Sequence, residues 1–283
     1  MTMTMPTHHI TIVIPTSGRT SVESVKEGIA AQTLAPDEVL IIEDRDRRGP
    51  GWARNRGLEQ ARGDIIAFLD DDTVPPPDWL ASMVAALDET GADGAGGSFI
   101  ETDALLNAIR ATRPLQLERV LDGPGLVGNS GNLVLRATVV EDMQRRDGHV
   151  FVESWGRYGS EDWELIMRIR NAGFHLVYVP THVRHLRRVT VVSYMRHQFF
   201  RGIGVALLHR AIRQHGATAS PQESIIWDPE RSRADRLLGA VKAKVVGPLN
   251  ASAFHHRRHY MIHWLAEKFQ GAGYLWGVLR HGR

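Results

Sequence analysis

The chain contains no cysteine, which excludes disulfide staples, thiolate metal sites and cysteine nucleophiles and leaves any metal to oxygen or imidazole. Long apolar runs are also missing. The first, Ile10 to Ile14, is far too short for the core of a signal peptide, and no stretch approaches the roughly 20 apolar residues of a spanning helix; this predicts a cytoplasmic protein. No internal repeat or low-complexity tract is found. Hydrophobic residues at 43% and charged residues at 23% are ordinary for a globular protein and exclude the disordered, collagen-like and coiled-coil classes. Charge of one sign is scarce overall, at a net +2, but its distribution is uneven. Acidic residues gather in the first two-thirds, while Arg and His crowd the segment after Tyr178, a pattern that suits an anionic ligand or surface.

What is present is an alternation of strands and helices within 283 residues, enough to bury a full core. Ile10 to Ile14 reads as a buried strand that ends in Pro15-Thr16-Ser17-Gly18, followed by a helix that Ser21 can cap. Val39 to Ile42 is a second strand, closed by Glu43-Asp44-Arg45-Asp46. Trp52 to Gln60 has helical spacing, and Ile65 to Leu69 is a third strand ending in Asp70-Asp71-Asp72. Such an order predicts a parallel sheet with crossover helices and ligands at the carboxyl ends of its strands. Further along, Trp79 to Leu87 reads as a helix after Pro75-Pro76-Pro77. Gly91 to Gly97 reads as a turn before strand Ser98 to Glu101, and 102–125 as loops and helices of weak pattern. Leu133 to Arg136 is a short strand, Glu161 to Asn171 a helix, His175 to Val179 a strand before Pro180, and Val191 to Gln214 a long basic helix. The tail carries helical patterns around Arg233 to Val246 and His256 to Phe269.

Three aspartates at one strand end repel unless a cation or hydrogen-bond donors offset them. A hard divalent cation does so, taking one or two carboxylates and leaving its other positions to water and phosphate; a solvated acidic turn is the plain alternative. Glu161-Asp162 opens a helix, where carboxylates commonly cap, yet beside a metal-bound phosphate one of them can take a proton from an attacking hydroxyl.

In order along the chain stand Ile14-Pro15-Thr16, Glu43-Asp44, the small-residue segment Gly49 to Asn55 with Ala53-Arg54-Asn55, Phe68 to Asp72, and Gly159 to Leu165. Taken together these resemble glycosyltransferase family 2 of the GT-A fold over about Ile10 to Arg201. The resemblance implies an α/β fold with a Rossmann-like, mostly parallel central sheet flanked by helices and a helical C-terminal extension. It divides the chain into a catalytic domain at 1–215 and an extension at 216–283.

The same resemblance implies an inverting, divalent-metal-dependent enzyme that moves a sugar from a UDP-, GDP- or dTDP-linked donor to an acceptor hydroxyl on a glycan, lipid-linked or small-molecule glycoside. Carried over position by position, Pro15, Thr16, Arg19, Asp44 and Arg54 contact the nucleotide, and Asp71 faces ribose or sugar. Asp72 binds Mn²⁺ or Mg²⁺ with Asp70 in support, and Asp162 is the base beside Glu161. His185, with His182 as the near alternative, stands where a further metal ligand is placed. Family members often carry Asp-Asp-Gly-Ser where this chain has Glu43-Asp44-Arg45-Asp46, which leaves the base preference open.

Among Arg187, Arg188, Arg196 and Arg201, one or two are expected to close over the diphosphate, Arg201 among them. The loop Gly128 to Asn132 offers backbone donors toward sugar or acceptor through Gly131 and Asn132. Trp155 is a stacking candidate for the acceptor, while Trp163 reads as core. The tail's His255-His256-Arg257-Arg258-His259, next to Ile262, Trp264, Leu265 and Phe269, reads as a helix packed on the catalytic domain or on a dimer partner, or as one lying on an anionic membrane surface. Two other functions fit part of the pattern. A nucleotidyltransferase usually opens with a Gly-rich basic phosphate loop, unlike Pro15 to Arg19, and a silent nucleotide-sugar binder does not need Asp72 and Asp162. A nucleic-acid partner is suggested only by an isoelectric point near 9.1, without a recognised module, and is not expected.

Overall fold

The computed structural model describes residues 7–111, 127, 129–215 and 257–281. Gly128 and the helical pattern at 233–246 lie outside the described residues. Seven strands, β1 (Ile10–Thr16), β2 (Glu38–Glu43), β3 (Ile65–Leu69), β4 (Thr73–Val74), β5 (Gly94–Glu101), β6 (Asn132–Arg136) and β7 (Leu176–His185), form one sheet in the order β2-β1-β3-β6-β5-β7-β4. β1, β2, β3, β5 and β7 point the same way, with β6 and the short β4 running against them. The mixed α/β architecture with a mostly parallel sheet is therefore as expected.

The helices are α1 (Glu23–Ala30), α2 (Pro50–Leu58), α3 (Trp79–Thr90), α4 (Ala104–Ala111), α5 (Ala137–Asp147), α6 (Glu161–Asn171), α7 (Val191–His215) and α8 (Arg257–His281). Alternation along the central strands decides what covers each face. Ile10, Ile12 and Ile14 of β1 and Ile65, Ala67 and Leu69 of β3 join Val25 and Ile29 of α1 and Trp79, Leu80, Met83 and Leu87 of α3 in one buried cluster. Val13, Ile66 and Phe68, one residue out of step, face Val139 and Met143 of α5 and Leu165, Ile166 and Ile169 of α6. Burial on both faces explains why these strands read as unbroken apolar runs.

Besides the two-residue β4, which was not anticipated, four elements differ from the sequence reading. The glycines expected in a turn lie within β5, because neighbouring strands crowd them: a Cβ on Gly94 would stand 2.6 Å from side chains of both Leu135 and Leu176. β7 continues past Pro180 to His185, since the register slips between Gly96 and Ser98 and places Pro180 in an irregularity where its missing N–H breaks no ladder bond. α5 has only a modest apolar face and was not anticipated. α8 runs on to His281 rather than stopping near Phe269.

α7 and α8 lie side by side at backbone contact. A Cβ on Gly202 would stand 2.0 Å from the Gln270 carbonyl oxygen, and one on Gly273 would stand 1.9 Å from that of Phe199. The start of α8 also packs Ile262 and Ala266 against Leu106 and Ile109 of α4. The described part of the C-terminal extension is thus built into the body formed by the rest of the chain.

Candidate active site

The ends of the parallel strands gather acidic and polar side chains at one edge of the sheet. β1 and β2 are in register with Thr16 opposite Glu43, and the Asp44 N–H donates to the Thr16 carbonyl at 2.7 Å. Asp44 is buried, and its two carboxylate oxygens accept the backbone N–H groups of Arg48 and Gly49 at 2.9 and 2.7 Å. Its carboxylate therefore shapes the loop that leads into α2. The Thr16 hydroxyl donates to Asp71 at 2.6 Å. Burial raises the Asp71 pKa, the neighbouring Asp72 and Asp70 add to the rise, and the Thr16 hydrogen bond opposes it. Pro15 is buried at the end of β1, whereas Arg19 is exposed in the following loop.

Asp72 is placed by the hairpin-like return into β4. Thr73 pairs with His185 across β4 and β7, and the Leu186 N–H donates to the Asp72 carbonyl at 2.7 Å. The Asp72 Oδ2 and His185 Nε2 atoms then face each other at 3.2 Å, while His185 Nδ1 lies 3.2 Å from Glu101 Oε1. Burial lowers the His185 pKa, but the Asp72 and Glu101 carboxylates outweigh it and raise the value to about 9. Cis donors around an octahedral cation with bonds of about 2.1 Å stand about 3 Å apart, so the Asp72–His185 pair has the spacing for such a cation once the Nε2 proton that now faces Asp72 is displaced. Glu101 is positioned to hold the imidazole by its other nitrogen. Among the described residues no group of three or more His, Asp or Glu converges on one metal point, and a two-donor edge leaves positions for water and phosphate oxygens.

Arg54 joins this edge to the start of α6. Its guanidinium donates to Asp70 at 2.7 Å and to Glu161 at 3.2 Å, and lies 5.4 Å from the Phe151 ring centroid. Expected at the nucleotide, Arg54 is 3% exposed and instead acts as a buried strut. Gly131 lies against the same carboxylate: a Cβ there would meet Asp70 Oδ2 at 2.2 Å. α6 is entered through two left-handed residues, Gly159 and the non-glycine Ser160, with φ of 79° and 71°. A left-handed serine is costly and needs surrounding structure to hold it.

Asp162 keeps part of its surface open, yet protein atoms ring its carboxyl. Burial raises its pKa to about 7, with the Glu161 charge adding and Arg54 and the Trp163 N–H opposing; Asp70 is close enough to contribute a further rise. The three-aspartate strand end and the Glu161-Asp162 helix start therefore lie together at one edge of the sheet, joined through Arg54.

The histidine side of that edge also holds arginines. Arg187 lies 3.6 Å from Glu101. The His197 ring shows open surface, but crowding by protein atoms and then the charges of Arg187 and Arg201 hold its pKa down to about 4. This places Arg201, exposed on α7, on the same side as His185. His182, the alternative ligand, hydrogen-bonds Ser98 through Nδ1 and has no such link to the aspartates.

Two further expected site residues, besides Arg54, are corrected. Asn132 is 0% exposed; its carbonyl accepts from Trp79 Nε1 at 2.8 Å and its amide donates to the Ser98 carbonyl at 2.9 Å, so it ties β6 to α3 and β5 and has no surface for a sugar. Trp155 is buried against Ile203, Leu207 and Leu208 of α7 and serves as core rather than as a platform. Glu101 was missed, although an acidic residue closing an otherwise apolar strand of the same sheet is the signal that points to it.

Residues 10–130 match the family model described as Glycosyl transferase family 2. Glycosyltransferase AglE of Haloferax volcanii is 29% identical over 163 residues, covering 56% of this chain and 51% of the relative. A pre-mycofactocin glycosyltransferase of Mycobacterium tuberculosis is 26% identical over 246 residues, covering 76% and 50%. The chain thus spans about half the length of these two curated relatives. Among solved structures, the mannosyltransferase PcManGT of Pyrobaculum calidifontis, in complex with GDP-Man and Mn²⁺, superposes with a TM-score of 0.57 at 15% identity, covering 95% of this chain and 87% of that one. The glucosyl-3-phosphoglycerate synthase of Mycobacterium tuberculosis, in complex with Mn²⁺, UDP and its product, gives 0.50 at 17% identity, covering 75% and 82%. These two likenesses establish the fold as GT-A, and the first part of the chain, residues 10–130, is similar to glycosyl transferase family 2.

Proposed function

We propose that this chain is an inverting glycosyltransferase that moves a sugar from a nucleoside diphosphate to an acceptor hydroxyl, with a catalytic domain at 1–215 and a helical extension at 216–283. One observation carries the reading: Arg54 bonded to both Asp70 and Glu161, which brings the end of β3 and the start of α6 to one cleft. The nucleoside lies at Pro15, Thr16 and Asp44, with Asp71, tied to Thr16, toward ribose or sugar. Arg19 stands at the exposed mouth. The diphosphate lies at the Asp72–His185 edge, where Mn²⁺ or Mg²⁺ fits and, when bound, supplies Lewis-acid stabilisation of the leaving group. Arg201 and Arg187 are guanidinium donors for phosphate oxygens on that side. That two structural neighbours were solved with Mn²⁺ and a guanosine or uridine diphosphate species supports this class of donor.

Asp162 in its ionised form accepts the proton of the acceptor hydroxyl while that oxygen bonds to the anomeric carbon. The bond from that carbon to the diphosphate breaks, and its electron pair leaves with the nucleotide. With a single carboxylate acting opposite the leaving group, the anomeric centre inverts. Gly131 leaves the acceptor side of Asp70 open.

Titration calorimetry with UDP, GDP and dTDP, each with and without Mn²⁺, tests the reading. Binding of one of them is expected to tighten at least tenfold with Mn²⁺ in the wild type and to lose that gain in Asp72→Ala. Equal affinities with and without the cation would remove the metal site. In a donor and acceptor screen, pyrophosphate release would indicate nucleotidyl transfer, and binding without turnover a silent binder.

A further inference from the structure

α8 carries two apolar faces. Ile262, Ala266, Gly273 and Gly277 are buried against the rest of the chain. On another side, Met261, Leu265 and Phe269 recur every four residues, and Leu275, Trp276 and Leu279 continue that stripe about two turns further on; all six are exposed, Leu279 by 81% and Leu275 by 63%. A continuous exposed apolar stripe of this kind marks an interaction surface.

Charge selects the occupant. From Arg257 to Arg283 the sequence holds five Lys or Arg residues against the single acid Glu267. Lys268 lies within the apolar stripe with its ammonium 5.4 Å from the Trp264 ring centroid, and Arg280 is exposed at the far end. Tryptophan, leucine and phenylalanine flanked by cations match the boundary between anionic headgroups and acyl chains. A second copy of the same face would set cation against cation. Among the described residues no helix is long and apolar enough to cross a membrane, so α8, about 37 Å long at 1.5 Å per residue, would lie in the surface plane.

We propose that the outer face of α8 docks the protein on an anionic lipid bilayer. The glycine contacts described above fix α8 to α7, and Gly204 of α7 abuts the Tyr158 and Gly159 carbonyls just before Glu161 and Asp162. Docking through α8 therefore holds the catalytic cleft beside the lipid surface, where an acceptor carried on a lipid is presented. Surface binding itself rests on no assumption about the reaction.

The test is cosedimentation of the whole chain with vesicles of phosphatidylcholine alone and of two parts phosphatidylcholine to one part phosphatidylglycerol. Wild type is expected to sediment with the mixed vesicles and much less with the neutral ones. The double variant Leu275→Glu, Leu279→Glu should lose this binding at least tenfold while keeping its helical circular dichroism. Should that variant fail to fold, Lys268→Glu and Arg280→Glu, which alter no buried residue, should each weaken partition to the mixed vesicles about fivefold or more. Absence of wild-type binding, or unchanged binding by folded variants, overturns the proposal. So does a wild-type dimer that ignores vesicles and is split by the Leu275 and Leu279 changes, which would identify the face as a homodimer contact.

Discussion

In the proposed reaction Asp162 and Arg54 divide the work of the cleft between them. A base that must be free of its proton, with a pKa held at about 7 by burial and by Glu161, gives a turnover rate that rises with pH through that value. Stopped assays from pH 5.5 to 8.5 should show this ascending limb, and Asp162→Asn should lower kcat by about 10²–10⁴-fold, the usual worth of a positioned base, while nucleotide affinity stays put. Wild-type turnover in that variant would transfer the role elsewhere. Arg54 opposes the rise in Asp162, so Arg54→Met is expected to move the limb to higher pH. It also leaves Asp70 and Glu161 without their shared cation, at a cost of about 3–5 kcal/mol in denaturant unfolding. An unmoved limb would show that Arg54 is remote from the base. The sequence made Asp72 and Asp162 visible because one follows a strand end and the other opens a helix at the same edge of the sheet, whereas His185 was reached only through the family resemblance, since its strand was expected to stop at Val179. It could not show that Asn132 and Trp155 are interior, since that depends on Trp79 and on α7, which approach from distant parts of the chain.

Elements were legible where a period or a terminator is local. β1 and β3 announced themselves as short apolar runs ending in loop or acidic residues, and α6 matched its expected limits from Glu161 to Asn171. Glycine misled in β5 because its usual meaning is a turn, whereas here the space between Leu135 and Leu176 admits no side chain. Pro180 misled in β7 for a related reason: a proline normally ends a strand, but a slip in register gives it a place without a ladder bond. The pairing of α7 with α8 depends on the same kind of close approach. Gly273→Leu inserts a side chain where the Phe199 carbonyl oxygen stands 1.9 Å from a Cβ, and overpacking of this kind costs about 1–3 kcal/mol. Chemical denaturation should therefore show a lower midpoint for Gly273→Leu, while Gly271→Leu, at a position where a Cβ meets nothing within 4 Å, should leave it nearly unchanged. Equal midpoints for the two variants would argue against the backbone contact.

At the scale of the whole molecule the proposed cleft is a place where function would work against stability. Asp70, Asp71, Asp72, Glu161 and Asp162 are concentrated at one sheet edge, and Ser160 is held left-handed beside them; a chain selected for folding alone would not keep this arrangement. The sign of the pH effect follows from Asp162. Its carboxyl titrates near 7 in the fold against an ordinary value of 3.8, so between those values the folded chain retains a proton that the unfolded chain releases. The associated stability is fully present below about 3.8 and is lost as pH rises through about 7. Asparagine at the same position is neutral at every pH and does not suffer that loss. Thermal unfolding without nucleotide or added metal should consequently give Asp162→Asn a higher midpoint than wild type at pH 8, with the two curves converging as pH falls toward 5. A constant gap between them across that range would mean that Asp162 ionises as freely in the folded chain as in the unfolded one, and the base would lose the perturbation that suits it to its task.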